Sequence, residues 1–192
     1  MDSQSTSSSA ERPRLDPIEQ PSKLKTKVIY WLTRRQMGKV ITPMKVVNAR
    51  MPQSLRLAYE MSKVEKSLAI SSRLRFLVKS YVATLNGCAF CIDIAKADAM
   101  SDDVALKIYE ALPDFRTSDA FSERERAALA YVEEATQDQA VSDDTFEELV
   151  RHFDDREIAQ LTWLNAMENY YNLLNRPLKI GSDDLCRLVD SK

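Results

Sequence analysis

An all-α single domain, a helical bundle of about seven or eight helices, is the fold class this sequence predicts, and three observations predict it. Apolar residues recur at intervals of three and four in one segment after another, the period of an amphipathic helix. Capping residues stand at the starts of several of those segments. Only three glycines, Gly38, Gly87 and Gly181, serve 192 residues, fewer turn formers than sheets and hairpins consume. That length accommodates one core and a tail, without room for a second full domain.

Element by element, residues 23 to about 38 carry Leu24, Val28, Trp31 and Leu32 between lysines and arginines, an amphipathic helix. The β-branched run Val40-Ile41-Thr42 allows an extended stretch. Pro43 and Pro52 then fit the first turns of two short helices, the second running to about residue 66. The clearest helix spans 71 or 72 to 85, where Leu74, Leu77, Val78, Tyr81, Val82 and Leu85 form one buried stripe. Asn86-Gly87 ends it, because both residues tolerate the left-handed backbone of a C-cap, and a further helix starts near Cys88 and reaches about Met100.

Ser101-Asp102-Asp103 caps the next helix, whose stripe is Val104, Ile108 and Leu112 before Pro113. Ser122 and Glu125 make a capping box for a helix through Ala135. Ser142-Asp143-Asp144 caps another with Phe146, Leu149, Val150 and Phe153 on one face. Asp154-Asp155 opens the last long helix, carrying Ile158, Leu161, Leu164 and Met167 until Pro177 stops it. The predicted organisation is a disordered tail over 1–22, a helical domain over 23–180 and a C-terminal tail over 181–192.

Net charge is −2, so no basic field exists to hold a nucleic-acid backbone, and no zinc-finger, P-loop or RNA-binding signature is present. The charge is uneven: residues 1–60 hold 11 Lys and Arg against 5 Asp and Glu, while the remainder is acidic. The first 21 residues lack the apolar core of a secretory signal, and no run approaches the roughly 18 to 20 apolar residues of a membrane span. A cytoplasmic protein with neither nucleic-acid nor membrane partners is expected. In that compartment three cysteines, two closely spaced, point to redox or metal chemistry.

Cys88-Ala89-Phe90-Cys91 is the segment that bears chemistry. Two cysteines three apart on a helix share a face and can close a disulfide. Backbone N–H groups at a helix start stabilise a thiolate, favouring Cys88 as the more acidic thiol. Three readings compete: a reversible redox pair, half of a zinc site, and an incidental pair. For zinc only Cys186 and His152 remain as partners, without the usual second ligand pair. His152 reads as a surface or capping residue and Cys186 as a small apolar filler.

Leu85-Asn86-Gly87-Cys88-Ala89-Phe90-Cys91-Ile92-Asp93 resembles the signature of the AhpD-like, or carboxymuconolactone decarboxylase-like, proteins. Residues 121–130 and 168–174 resemble that family's later helices, so the likeness covers approximately 44–178. It implies a symmetric homo-oligomer with alkylhydroperoxidase or disulfide-reductase activity, acting on an organic hydroperoxide or a disulfide. No cofactor is implied, and an external dithiol is the reductant. In the family's scheme Cys91 attacks the peroxide, and Cys88 resolves the sulfenic acid and meets the reductant.

The chain departs from the best-equipped members at the proton relay, where Phe76, Phe90 and Ala95 replace a glutamate and two histidines. General-base help is worth roughly 10²–10⁴-fold, so a slow peroxidase or a different base is expected. Glu168 and Tyr81 are the candidate substitutes, and Asn169 and Asn172 are candidates for lining the pocket. The alternative is a non-catalytic helical oligomer, a scaffold or binding protein, whose pair is vestigial. Decarboxylation of a muconolactone-type acid has no visible base or carboxylate-binding arginines to support it.

Overall fold

Among residues 12–100 and 103–186, which the computed structural model describes, eight α-helices and three short turns of other helix types form, and no strand. The helices are α1 (Leu24–Met37), α2 (Gln53–Ser67), α3 (Ser72–Leu85), α4 (Ala89–Ala99), α5 (Asp103–Ala111), α6 (Glu123–Gln137), α7 (Asp143–Val150) and α8 (Asp155–Asn175). The capping box predicted at Ser122/Glu125 is in place and Asp154/Glu157 closes a second, while Ser71 accepts the Leu74 N–H at the start of α3. Ser101 and Asp102, expected to cap α5, lie outside the described residues.

The main core gathers α3, α5, α6, α7 and α8 around Leu77, Val78, Leu112, Phe115, Leu129 and Leu161. A second, smaller apolar cluster surrounds α4: Val46, Ala83, Phe90, Ile180 and Leu185 enclose Cys88 and Cys91. The thiols thus sit where α4, the end of α3 and the C-terminal segment meet.

Several expectations are corrected. The segment after Pro43 is a π-helical turn, Met44–Asn48, with Val46 buried, in place of an ordinary short helix. Residues 1–11 of the predicted tail lie outside the described residues, but 12–22, though without helix, are tied down. The Arg14 N–H donates to the Leu178 carbonyl (2.8 Å), the Ile18 N–H to the Lys45 carbonyl (3.1 Å), and the Tyr30 hydroxyl to the Ile18 carbonyl (2.7 Å).

Residues 181–186 of the C-terminal tail are also held. The buried Asp93 carboxylate accepts the N–H groups of Asp183 (2.8 Å) and Leu185 (3.0 Å). Asp183 in turn accepts the Thr42 N–H (2.6 Å) and hydroxyl (2.7 Å) and pairs with Lys39 at 3.0 Å. A buried carboxylate is costly unless donors surround it, and this segment's backbone supplies them. Cys186 is not an apolar filler, because its thiol lies 3.4 Å from an Asp93 carboxylate oxygen.

Of the stripe expected along α7 and just beyond it, only Leu149 and Phe153 face inward, while Phe146 and Val150 are exposed. The stripe of α1 is reversed outright: Leu24, Val28, Trp31 and Leu32 point to solvent, and Thr26, Tyr30 and Thr33 are buried.

Candidate active site

Cysteine placement follows from how α3 ends. Gly87 takes φ +60°, its N–H donates to the Thr84 carbonyl (3.0 Å), and the Cys88 N–H donates to the Ala83 carbonyl (3.0 Å). These two bonds are the Schellman closure of a helix C-terminus. The chain reverses at once, Cys88 becomes the N-cap of α4, and Cys91 falls in its first turn. The two form a disulfide with Cα atoms 5.3 Å apart. Cys88 is fully buried and Cys91 nearly so, at 9% exposure.

Cys91 forms part of the wall of a cavity of about 500 Å³. Its apolar lining includes Met44, Leu55, Phe76, Phe90, Ile94 and Ala95. Phe76, Phe90 and Ala95 are the three positions where the sequence lacks a relay, and all three face this space. Lys79, Glu65, Arg75 and Asp98 also line it. Lys79 Nζ pairs with Glu65 at 2.9 Å, and Arg75 donates to the Glu65 carbonyl (2.9 Å), so α2 is fastened to α3 here.

Helix α8 supplies the polar contacts to sulfur. Asn172 Nδ2 lies 3.4 Å from Cys91 Sγ and donates to Glu168 Oε1 (2.8 Å) and to the Glu168 carbonyl (2.7 Å). Asn175 Nδ2 lies 3.5 Å from Cys91 Sγ and 4.0 Å from Cys88 Sγ. Amide donors aimed at sulfur favour its anionic form. Glu168 is buried and on the cavity wall, and burial pushes its carboxyl above the usual range, with Lys79 and Asn172 opposing in part. Burial likewise raises Asp98. Ser80 Oγ and Asn172 Oδ1 are buried without a hydrogen-bond partner among the described residues.

Of the residues singled out in the sequence, Cys88, Cys91, Glu168 and Asn172 come together. Asn169 does not join them: it accepts from Asn86 (2.8 Å) and donates to Asn165, bracing the end of α3. Tyr81 also lies elsewhere, donating to Glu133 (2.7 Å) beside Arg116 with its ring edge-on to Phe115. Burial raises its pKa, and the Glu133 bond holds its proton in place. His152 lies 3.2 Å from Glu148 at the end of α7, and Cys186 lies by Asp93. Sequence reasoning missed Asn175, Lys79 and Glu65. For Asn175 the signal was an asparagine three residues beyond Asn172, on the same face of a helix.

Residues 52–134, which contain both cysteines, match the carboxymuconolactone decarboxylase family. YnjA of Escherichia coli, an uncharacterized protein, is 29% identical over 165 residues, 84% of this chain and 90% of its own length. ATU0492 of Agrobacterium tumefaciens, a protein of unknown function provisionally assigned to the antioxidant defence protein AhpD, shares 26% identity. Its structure superposes with a TM-score of 0.66 over 71% of this chain and 96% of that one. A Cys-to-Ala variant of the debrominase Bmp8, solved with 2,3,4-tribromopyrrole, has the same fold at 18% identity, TM-score 0.74, over 95% of this chain and 98% of its own. The matched segment, which holds the cysteine pair, and the helical architecture both resemble those of AhpD-like proteins of the carboxymuconolactone decarboxylase family.

Proposed function

We propose that this chain is a thiol-dependent reductase of organic hydroperoxides or disulfides that cycles Cys88 and Cys91 between dithiol and disulfide. The observation that carries this reading is the pair itself: two sulfurs in bonding reach, one on the wall of an apolar cavity under two amide donors. In the reduced protein the Cys91 thiolate attacks the terminal oxygen of a hydroperoxide, the O–O bond breaks, and an alcohol leaves as Cys91 becomes a sulfenic acid. Glu168, whose protonated form burial favours, gives its proton to the departing alkoxide and recovers it from the next thiol. The Cys88 thiol then attacks the sulfenic sulfur, forming the disulfide and one water. An external dithiol restores both thiols and is itself oxidised to a disulfide.

The fit of an apolar cavity to an organic substrate supports the hydroperoxide reading. The same walls support a second one, suggested by the Bmp8 likeness: reductive dehalogenation of a small heteroaromatic. There the pair would supply two electrons, releasing halide and a proton as carbon gains hydrogen.

The test is a thiol count on the reduced protein mixed with tert-butyl hydroperoxide. Rapid loss of two thiols per chain, abolished by Cys91→Ser, is expected. Loss no faster than from a cysteine peptide would reject the peroxidase and favour a scaffold. Two thiols lost to 2,3,4-tribromopyrrole, with none lost to peroxide, would select dehalogenation.

A further inference from the structure

We propose that α1 is a docking helix whose occupant is α7 of a second copy of this chain. The inference stands apart from the redox reading, because neither helix supplies a sulfur ligand.

Its first support is the reversed face of α1. Thr26, Tyr30 and Thr33 are turned into the molecule, and Leu24 and Trp31 are 76% and 59% exposed on the opposite side. A helix that buries threonines and presents leucine and tryptophan to water has no apolar partner for that face among the described residues of its own chain. Exposed cations border this stripe, with Lys27 and Arg34 along one side and Lys25 along the other. They belong to a longer bias: residues 21–59 contain nine Lys and Arg and not one Asp or Glu.

That bias selects the partner. Two α1 helices facing each other would bring cations against cations with no acid between them, a repulsive arrangement. The complementary surface must be both apolar and acidic, and α7 is such a surface. Asp143, Phe146, Glu147 and Val150 fall at i, i+3, i+4 and i+7, one helical face, and all four are exposed. The surrounding stretch, 138–157, holds eight Asp and Glu against two Arg. Both faces are exposed within one copy, so the pairing is between copies. Because the two patches differ, each contact joins α1 of one copy to α7 of another, and the pairing closes either reciprocally between two copies or around a ring of subunits.

The experiment is sedimentation equilibrium of the full chain, with circular dichroism to verify helix content. Wild type is expected at a multiple of 21.9 kDa. The double variants Lys27→Glu/Arg34→Glu and Asp143→Lys/Glu147→Lys should each fall to one chain mass, and mixing the two should restore the assembly. Three results would overturn the proposal: a wild-type monomer at all concentrations, an assembly indifferent to the α7 reversal, or a mixture that stays monomeric. So would binding of wild type to phosphatidylserine vesicles that the α1 reversal abolishes and the α7 reversal leaves intact, since the occupant would then be a lipid surface.

Discussion

At the scale of single residues, Glu168 is where burial and chemistry meet. Its carboxyl is enclosed by α8, the cavity and the Asn172 amide, so the neutral form is favoured. Glu168→Gln keeps the size and an acceptor for Asn172 while removing the transferable proton. The expected outcome is a peroxide-dependent thiol loss slower by about 10²-fold, with unchanged circular dichroism; an unaltered rate would remove Glu168 from the mechanism. The cysteines, Glu168 and Asn172 were legible because each belongs to a short local pattern. Lys79 and Glu65 were not, since they reach the cavity from two helices whose approach no local pattern encodes. Tyr81 shows the converse. Its place in an apolar stripe was read correctly, but its hydroxyl is directed by Glu133, 52 positions away.

Among elements, the junction of α3 and α4 carries the functional geometry. Gly87 stands at φ +60° with open space where a side-chain carbon would go. Gly87→Ala therefore meets no clash and costs only the left-handed backbone, about 1 kcal/mol, measurable by urea denaturation. A much larger loss would mean that the turn is held by packing. Caps and stops made most helix boundaries readable: Ser122, Ser142 and Asp154 all cap as their spacing predicts. Periodicity identifies the apolar face of a helix but not whether a neighbour covers it. That is why the apolar stripe of α1 and half of that on α7 can lie outward. The π-turn at Met44–Asn48 escaped because no residue pattern distinguishes it from a first α-helical turn.

For the whole molecule, two buried carboxyls give opposite responses to pH. Burial alone would raise Asp93, but the Leu185 and Asp183 N–H groups and the Ser182 hydroxyl outweigh it and hold its pKa below the ordinary aspartate value. A depressed carboxyl contributes stability that is present above its unfolded value and lost as pH falls through the folded one. Burial holds Glu168 above the ordinary glutamate value, so its contribution is complete below that ordinary value and declines as pH climbs through its folded pKa. Thermal unfolding should therefore show Asp93→Asn less stable than wild type by about 1–3 kcal/mol near neutrality, with the gap narrowing in acid. Glu168→Gln should instead gain on wild type as pH rises. A constant offset for either variant would contradict the assignment.

The ion pair between Lys79 and Glu65 has one more consequence. Helix α2 buries little of its own surface, with Leu57, Tyr59 and Val64 all exposed, so this partly solvated link is a main fastening of the wall that covers Cys91. Dissolved electrolyte weakens such attractions. Alkylation of reduced Cys91 by uncharged N-ethylmaleimide should then quicken between 0.02 and 0.5 M sodium chloride, on the order of twofold given the ~1 kcal/mol ceiling for an exposed pair. Lys79→Met should abolish that dependence, making the shield over the sulfur adjustable by the medium alone.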